Sequence, residues 1–191
     1  MTGNTILITG GGSGIGRTLG VAEATVATNL LGPIRLNGAL LPLLLSQPHA
    51  AVLTVSSGLA FMPLALTPTY CATKAAIHSY TQSLRYQLQG TSVQVTELIP
   101  PYVQTELQGP GQASDPHTMP LADYISETMR LLTASPDAHE IQVERVKAQR
   151  YAEVNGGPPG DYNVFFKTFN DAMSKRSLRP DAHRSLDPGS G

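Results

Sequence analysis

Tyr70 and Lys74 lie four residues apart and offer the first chemistry in this sequence. In a helix such a pair stacks on one face. An ammonium one turn from a phenol favours the phenolate and draws the phenol pKa down toward a range where it passes protons. The pentapeptide Tyr70-Cys71-Ala72-Thr73-Lys74 also reads as plain amphipathic helix with an exposed lysine. Ser57 lies 13 residues upstream, just after the apolar run Ala51–Val55. The C-terminal ends of parallel strands are where α/β sheets place ligands. A hydroxyl there can hydrogen-bond a substrate carbonyl, although a turn serine would look the same and Ser56 competes for the role. Asn29 falls inside a helical pattern, among Val26, Leu30 and Leu31, where asparagine is a poor helix former. It reads either as a solvated face or as an amide holding a water near the Tyr/Lys pair.

A second constellation is Thr9-Gly10-Gly11-Gly12-Ser13-Gly14-Ile15-Gly16, between a strand-like run and a helix-like one. Glycines permit a tight turn, and a helix N-terminus offers free N–H groups and a positive dipole to phosphate. No Gly-Lys-Ser/Thr follows, which excludes a Walker loop. Ile15 occupies the place a hydrolase elbow would need for its flanking pattern. A dinucleotide-binding turn remains, beside the plainer reading of a glycine-rich βα turn with no ligand.

These residues need elements to hold them. The pattern predicts strands at Thr5–Thr9, Ala51–Val55, Ser92–Ile99 and Glu140–Val146. Helices are predicted over Val21–Ser46, bent at Gly32-Pro33, over Tyr70–Gln89, closed by Gly90, and over Leu121–Leu132 and Val164–Met173. Pro100-Pro101 ends the third strand. Ala60–Thr69 and Gln104–Pro120 read as loops, and the segment from Gln104 to about Tyr124 as a mobile lid over a partly apolar substrate. Strands alternating with helices indicate a parallel α/β sheet. Residues 1–155 form the domain, 156–174 a linker and short C-terminal helix, and 175–191 a disordered tail.

The 191 residues suit one domain. Lys plus Arg number 13 against 14 Asp plus Glu, so no basic excess points to nucleic acid. Cys71 is the one cysteine, which excludes an internal disulfide and a multi-cysteine zinc site. The five histidines (49, 78, 117, 139, 183) show no metal-ligand spacing, and His78 reads as a helix-surface or interface residue. Gly38–Leu45 is far too short to span a bilayer, and Met1–Asn4 carries no basic region of a secretory signal. The expectation is a cytoplasmic protein with no membrane partner and no metal.

In these residues the chain resembles the short-chain dehydrogenase/reductase superfamily, in its short single-domain type. The family's Thr-Gly-x-x-x-Gly-x-Gly matches Thr9, Gly10, Gly14 and Gly16; Tyr-x-x-x-Lys matches Tyr70 and Lys74; the upstream serine matches Ser57. Asn29 with Gly32 fits the family's Asn-x-x-Gly, and Pro100-Pro101 with Thr105 stands where the family has Pro-Gly and a nearby threonine. The resemblance covers about Thr5 to Val146. It implies a three-layer Rossmann-like parallel sheet and hydride transfer between NAD or NADP and a small-molecule alcohol or carbonyl. By the same resemblance Tyr70 is the general acid/base, Lys74 lowers its pKa and holds the nicotinamide ribose, Ser57 polarises the carbonyl and Asn29 anchors a relay water. Cofactor contacts fall to Gly10, Ser13, Gly14, Ile15, Gly16, Lys74, Val103 and Thr105. The implied partner is a second copy, in a dimer or tetramer.

One departure bears on the fold. Only 12 residues separate Gly16 from Asn29, whereas a single βαβ crossover takes roughly 30. No acidic residue stands about 20 residues beyond the glycine turn to hold a ribose, and no Asn-Asn-Ala-Gly occurs. The family's strands two to four and their helices are therefore expected to be deleted near Gly20, with strand one either moved beside Ala51–Val55 or left poorly ordered. Beside an oxidoreductase, two other readings stay open: a non-catalytic relative that dimerises through its two retained helices, and a non-functional deletion product.

Overall fold

The computed structural model describes residues 5–9, 19–107 and 110–177. Four strands, β1 (Thr5–Thr9), β2 (Ala50–Val55), β3 (Val93–Ile99) and β4 (Glu140–Gln142), form one parallel sheet in the order β1-β2-β3-β4. β1 lies directly against β2, from Thr5 beside Ala50 to Thr9 beside Thr54. This is the position that the expected deletion leaves open, so the displaced arrangement of strand one is the one adopted.

Along β2, Ala50, Val52 and Thr54 are buried and their neighbours half-buried. Val52, Val93 and Val95 meet Leu44, Leu84 and Leu88 in one core cluster. That cluster seats helices α2 (Gly32–Leu45) and α3 (Pro68–Gln87) on one sheet face. Ala51, Leu53, Val55 and Leu98, which point to the other face, stay only half-buried. A sheet with one complete helical layer and one thin one is what an incomplete Rossmann-like fold leaves.

The helix expected over Val21–Ser46 runs as α1 (Leu19–Val26), a π-helical turn (Ala27–Leu31) and α2. Its irregularity precedes Gly32-Pro33 rather than following it. Pro33 has no N–H to give the carbonyl of Asn29 four residues earlier, and Gly32 bonds back to Ala27 instead. A Cβ on Gly32 would sit 3.1 Å from the Ala27 carbonyl oxygen, so the turn favours glycine. The buried residues of this helix are Thr25, Asn29, Pro33, Asn37 and Leu44, while the apolar Ala22, Val26, Leu30 and Ile34 are half-buried.

α3 starts two residues earlier than expected because Pro68 takes the first turn. It ends at Gln87, and Gly90 follows at φ +77°. The fourth strand is shorter than Glu140–Val146. Its pairing with β3 stops at Ile99 beside Gln142, because Pro100 and Pro101 offer no N–H to continue it. Glu144–Val146 is instead a 3₁₀ turn whose Glu144 N–H donates to Glu127 Oε1 at 2.8 Å.

Of the remaining helices, α4 (Pro110–Ala113) lies in the 102–120 loop and α5 (Leu121–Ala134) packs against β4. α6 (Lys147–Arg150) and α7 (Ala152–Asn155) follow the 3₁₀ turn. The expected linker Gly156–Gly160 is a turn with Gly156, Gly157 and Gly160 at positive φ. The last helix, α8 (Tyr162–Ser177), is longer than expected, so residues 175–177 are helical rather than tail. Asn170 of α8 accepts from Ala65 N at 2.7 Å and donates to Pro63 O at 3.1 Å, which ties this helix to the loop before α3. No described helix is long and apolar enough to cross a membrane.

Candidate active site

Tyr70 and Lys74 both lie on the buried side of α3, 8% and 3% exposed, so the exposed-lysine reading falls. Lys74 Nζ donates to the Val55 carbonyl at 2.9 Å, at the end of β2, and stands 5.5 Å from the Tyr70 ring centre. The next residues of that strand end bring Ser57 to the same place. Ser57 has extended backbone, caps the 3₁₀ turn Gly58–Ala60 by accepting from Leu59 N at 3.1 Å, and shares a hydrogen bond with the Tyr70 phenol. Ser56, its competitor, is 1% exposed, with its hydroxyl unpartnered among the described residues. The structure therefore brings Ser57, not Ser56, to the phenol.

The electrostatics differ from the sequence expectation. Burial pushes the Tyr70 phenol up to about 12, and its hydrogen bond with Ser57 only partly opposes this. Burial also draws Lys74 down to about 8. The ammonium is spent on the Val55 carbonyl rather than on the phenol oxygen, so desolvation outweighs the stabilisation of a phenolate.

Asn29 is 7% exposed, which excludes the solvated-face reading. Its Nδ2 donates to Thr73 Oγ1 at 3.3 Å, and Thr73 Oγ1 donates to the Tyr70 carbonyl at 2.7 Å. Thr73 is thus the link between the π turn and the helix of the Tyr/Lys pair. The sequence carried a hint of it, a hydroxyl in the middle of a motif otherwise read only at its ends. Cys71 is a small buried residue, its Sγ accepting from Leu64 N at 3.3 Å.

The chain leaves β3 beside this cluster, where Gly58 N donates to the Pro100 carbonyl at 3.0 Å. Val103 and Thr105 follow. Val103 pairs with Met119, and Arg145 donates to the carbonyls of His117 and Thr118, which fastens the described ends of the expected lid. Gln112 is 6% exposed. Its Nε2 donates to the Val103 carbonyl at 2.6 Å and to Thr105 Oγ1 at 3.1 Å. No sequence signal pointed to Gln112. The glycine-turn residues Gly10, Ser13, Gly14, Ile15 and Gly16 lie outside the described residues, as does the segment from 178 to 191.

A second polar cluster lies deeper. His78 is not a simple surface residue: its Nδ1 meets Glu97 Oε2 at 2.8 Å, and Glu97 is fully buried. Glu97 sits beside Glu140 in the β3/β4 register, which brings a ligand atom of each of the three within 4.8 Å of the others. Arg150 claims both Glu140 oxygens, at 2.8 Å each, and stacks 4.4 Å from the Phe61 ring centre. Burial raises the Glu140 pKa, but the Arg150 hydrogen bonds and charge outweigh it and hold the carboxyl below its ordinary value. Phe61 N in turn donates to Gly58 O at 3.1 Å. This cluster thus braces the Ser57 turn from behind.

A parallel sheet with a serine at one strand end, and a packed helix that brings a tyrosine and a lysine to it, defines an incomplete Rossmann-like α/β protein. The chain belongs to the short chain dehydrogenase family, whose sequence pattern matches residues 18–115, just over half of its length. It is 51% identical over 82 residues to the uncharacterised oxidoreductase DltE of Bacillus subtilis (strain 168), covering 43% of this chain and 32% of that one. It is 29% identical over 126 residues to an uncharacterised oxidoreductase of Staphylococcus aureus (strain MW2), covering 65% of this chain and 54% of that one. Among solved structures, a short-chain dehydrogenase from Burkholderia cenocepacia in complex with NADP superposes at a TM-score of 0.63, with 21% identity, over 92% of this chain and 69% of the other. The closed form of serine dehydrogenase complexed with NADP+ gives 0.62 at 23% identity, over 73% and 64%. Both likenesses concern the fold. The match spans about a third of the Bacillus relative, in keeping with a shortened chain.

Proposed function

We propose that this chain is an NAD(P)-dependent oxidoreductase that interconverts a carbonyl and an alcohol. The observation that carries the reading is the buried Tyr70 phenol, hydrogen-bonded to Ser57 with Lys74 one turn away. The acceptors present fit a nicotinamide cofactor: Val103 O and Thr105 Oγ1 already hold a primary carboxamide, and nicotinamide carries the same group. Lys74, Val103 and Thr105 would hold its nicotinamide half, and Gly10, Ser13, Gly14, Ile15 and Gly16 its phosphates. When bound, the cofactor supplies or accepts the hydride.

In this reading Ser57 orients the substrate oxygen and Tyr70 exchanges a proton with it. A phenol held at about 12 stays protonated near neutral pH, the form that donates to a carbonyl oxygen in the reducing direction. Lys74, at about 8, gives up and regains a proton within the working range and can restore the proton that Tyr70 loses. The Asn29 carbonyl, denied its ordinary helical partner by Pro33, anchors a water that connects Lys74 to solvent. Residues 1–155 make up the catalytic unit, and α8 closes one side of it through Phe169 and Met173, which pack against Tyr70, Cys71 and Leu64.

The test is thermal unfolding of the purified chain titrated with NADH and NADPH. A saturable rise of the midpoint supports a cofactor site, about 2.7 kcal/mol at a hundredfold excess over Kd. A clear unfolding transition that neither cofactor moves overturns the reading. Leu36 and Leu43, seven residues apart on α2, are exposed, as is Tyr86 on α3. These apolar groups support self-association, which sedimentation of the chain alone would measure.

A further inference from the structure

We infer that Gln112 competes with the cofactor for the nicotinamide position, so that this chain carries its own occupant of the site. The inference rests on the cofactor reading above and adds a residue to it. Gln112 is a buried primary carboxamide whose nitrogen serves two acceptors, the Val103 carbonyl at 2.6 Å and the Thr105 hydroxyl at 3.1 Å. Those acceptors lie on the segment that leaves β3 next to Gly58, and therefore next to Ser57. The hydrogen-bonding group on a nicotinamide ring is also a primary carboxamide. Each acceptor keeps a second lone pair, but the Gln112 NH₂ group, 2.6 and 3.1 Å from the two, fills the place from which a second amide nitrogen would reach both at once.

Gln112 itself is carried on α4, a four-residue helix, and not on the sheet. Its amide can leave Val103 and Thr105 without breaking a strand or a long helix. Binding of a dinucleotide then requires the open form, and the measured affinity falls by the fraction of molecules in which Gln112 has left. Two hydrogen bonds to a buried amide make that penalty about tenfold. The effect is specific to the nicotinamide end. A ligand with the same adenosine and phosphates but no nicotinamide has no reason to displace Gln112.

The experiment compares the full chain with Gln112→Ala and Gln112→Glu by calorimetric titration of NADH, NADPH and ADP-ribose. The glutamate variant keeps the side-chain size and removes the NH₂ donor, so it guards against a folding defect in the alanine variant. The expected result is about tenfold tighter binding of NADH or NADPH by both variants, with ADP-ribose gaining nothing. Binding by the unaltered chain that neither variant tightens overturns this inference and leaves the cofactor reading standing. A gain that ADP-ribose shares equally also overturns it. Failure of every chain to bind either dinucleotide overturns both readings, whereas binding by the variants alone supports both.

Discussion

Replacement of Lys74 by methionine separates a buried charge from its surroundings and can be followed by pH. The drop of the Lys74 pKa from 10.5 to about 8 corresponds to about 3 kcal/mol at ~1.4 kcal/mol per pH unit. Below pH 8 the lysine is charged in both folded and unfolded chains, and the folded chain bears the full cost of desolvation. Between pH 8 and 10.5 the folded chain releases this proton while the unfolded chain keeps it. The unfolded state then binds more protons, so stability rises with pH across this window. Lys74→Met removes the effect, along with the hydrogen bond to Val55. Urea denaturation of both chains from pH 7 to 10 should show the unaltered chain gaining about 2–3 kcal/mol relative to the variant. With a slope of about 2 kcal/mol per molar urea, the relative midpoint moves by about 1–1.5 M. Tyr70 contributes with the opposite sign, but only above pH 10, where its unfolded phenol begins to ionise and the folded one, at about 12, does not. Stability curves of the two chains that stay parallel from pH 7 to 10 would refute the assignment of a desolvated, charge-strained lysine.

Other changes test the rest of the site. Tyr70→Phe should leave cofactor binding intact and lower the turnover of any accepted carbonyl by at least a hundredfold, read by NADPH oxidation at fixed substrate. Ser57→Ala removes the one hydrogen bond that opposes burial at the phenol, so spectrophotometric titration at alkaline pH should place the Tyr70 transition higher than in the unaltered chain. Gly58→Ala should destabilise by about 1–3 kcal/mol in urea, because the added Cβ would lie 2.3 Å from Gln149 Oε1 and 2.8 Å from Val146 Cγ2. Arg150→Met strips Glu140 of its bidentate partner; a stability loss of about 1–3 kcal/mol is expected at pH 7. That loss should shrink as pH falls through the depressed Glu140 value, since a protonated carboxyl no longer needs the guanidinium.

What was legible in the sequence follows from which interactions are local. The strands Thr5–Thr9, Ala51–Val55 and Ser92–Ile99 declare themselves through short β-branched runs ended by glycine, serine or proline, and all three form within a residue of expectation. The Tyr70/Lys74 spacing places both side chains on one helix face. Spacing alone, however, does not reveal that the face is buried, and burial is what reverses the expected direction of the phenol pKa. The β4 boundary was missed because it is set by Pro100 and Pro101 on the neighbouring strand, about 40 residues away in the sequence. Gln112, Arg150 and the His78–Glu97 pair escaped for a similar reason. Each draws its meaning from partners 7 to 19 residues away that share no periodic pattern with it.

The same distinction explains why the site is still assembled in so short a chain. Among the described residues, a set of hydrogen bonds within residues 29–74 ties Tyr70, Lys74 and Ser57 together: Asn29 to Thr73, Thr73 to Tyr70, Lys74 to Val55, Ser57 to Tyr70. The Ser57 turn is braced from the opposite direction, by Phe61, Arg150 and Glu140, and α8 is held by Asn170 against Pro63 and Ala65. None of these partners belongs to the short stretch between Gly16 and Asn29 where crossover units are missing. Removing elements there costs cover on the far face of the sheet, where Leu53, Val55 and Leu98 are left half-buried, and puts β1 directly beside β2. It leaves the Ser57, Tyr70 and Lys74 cluster in place, because that cluster is built by the end of β2, by α3 and by the π turn, and α3 packs against both of the others.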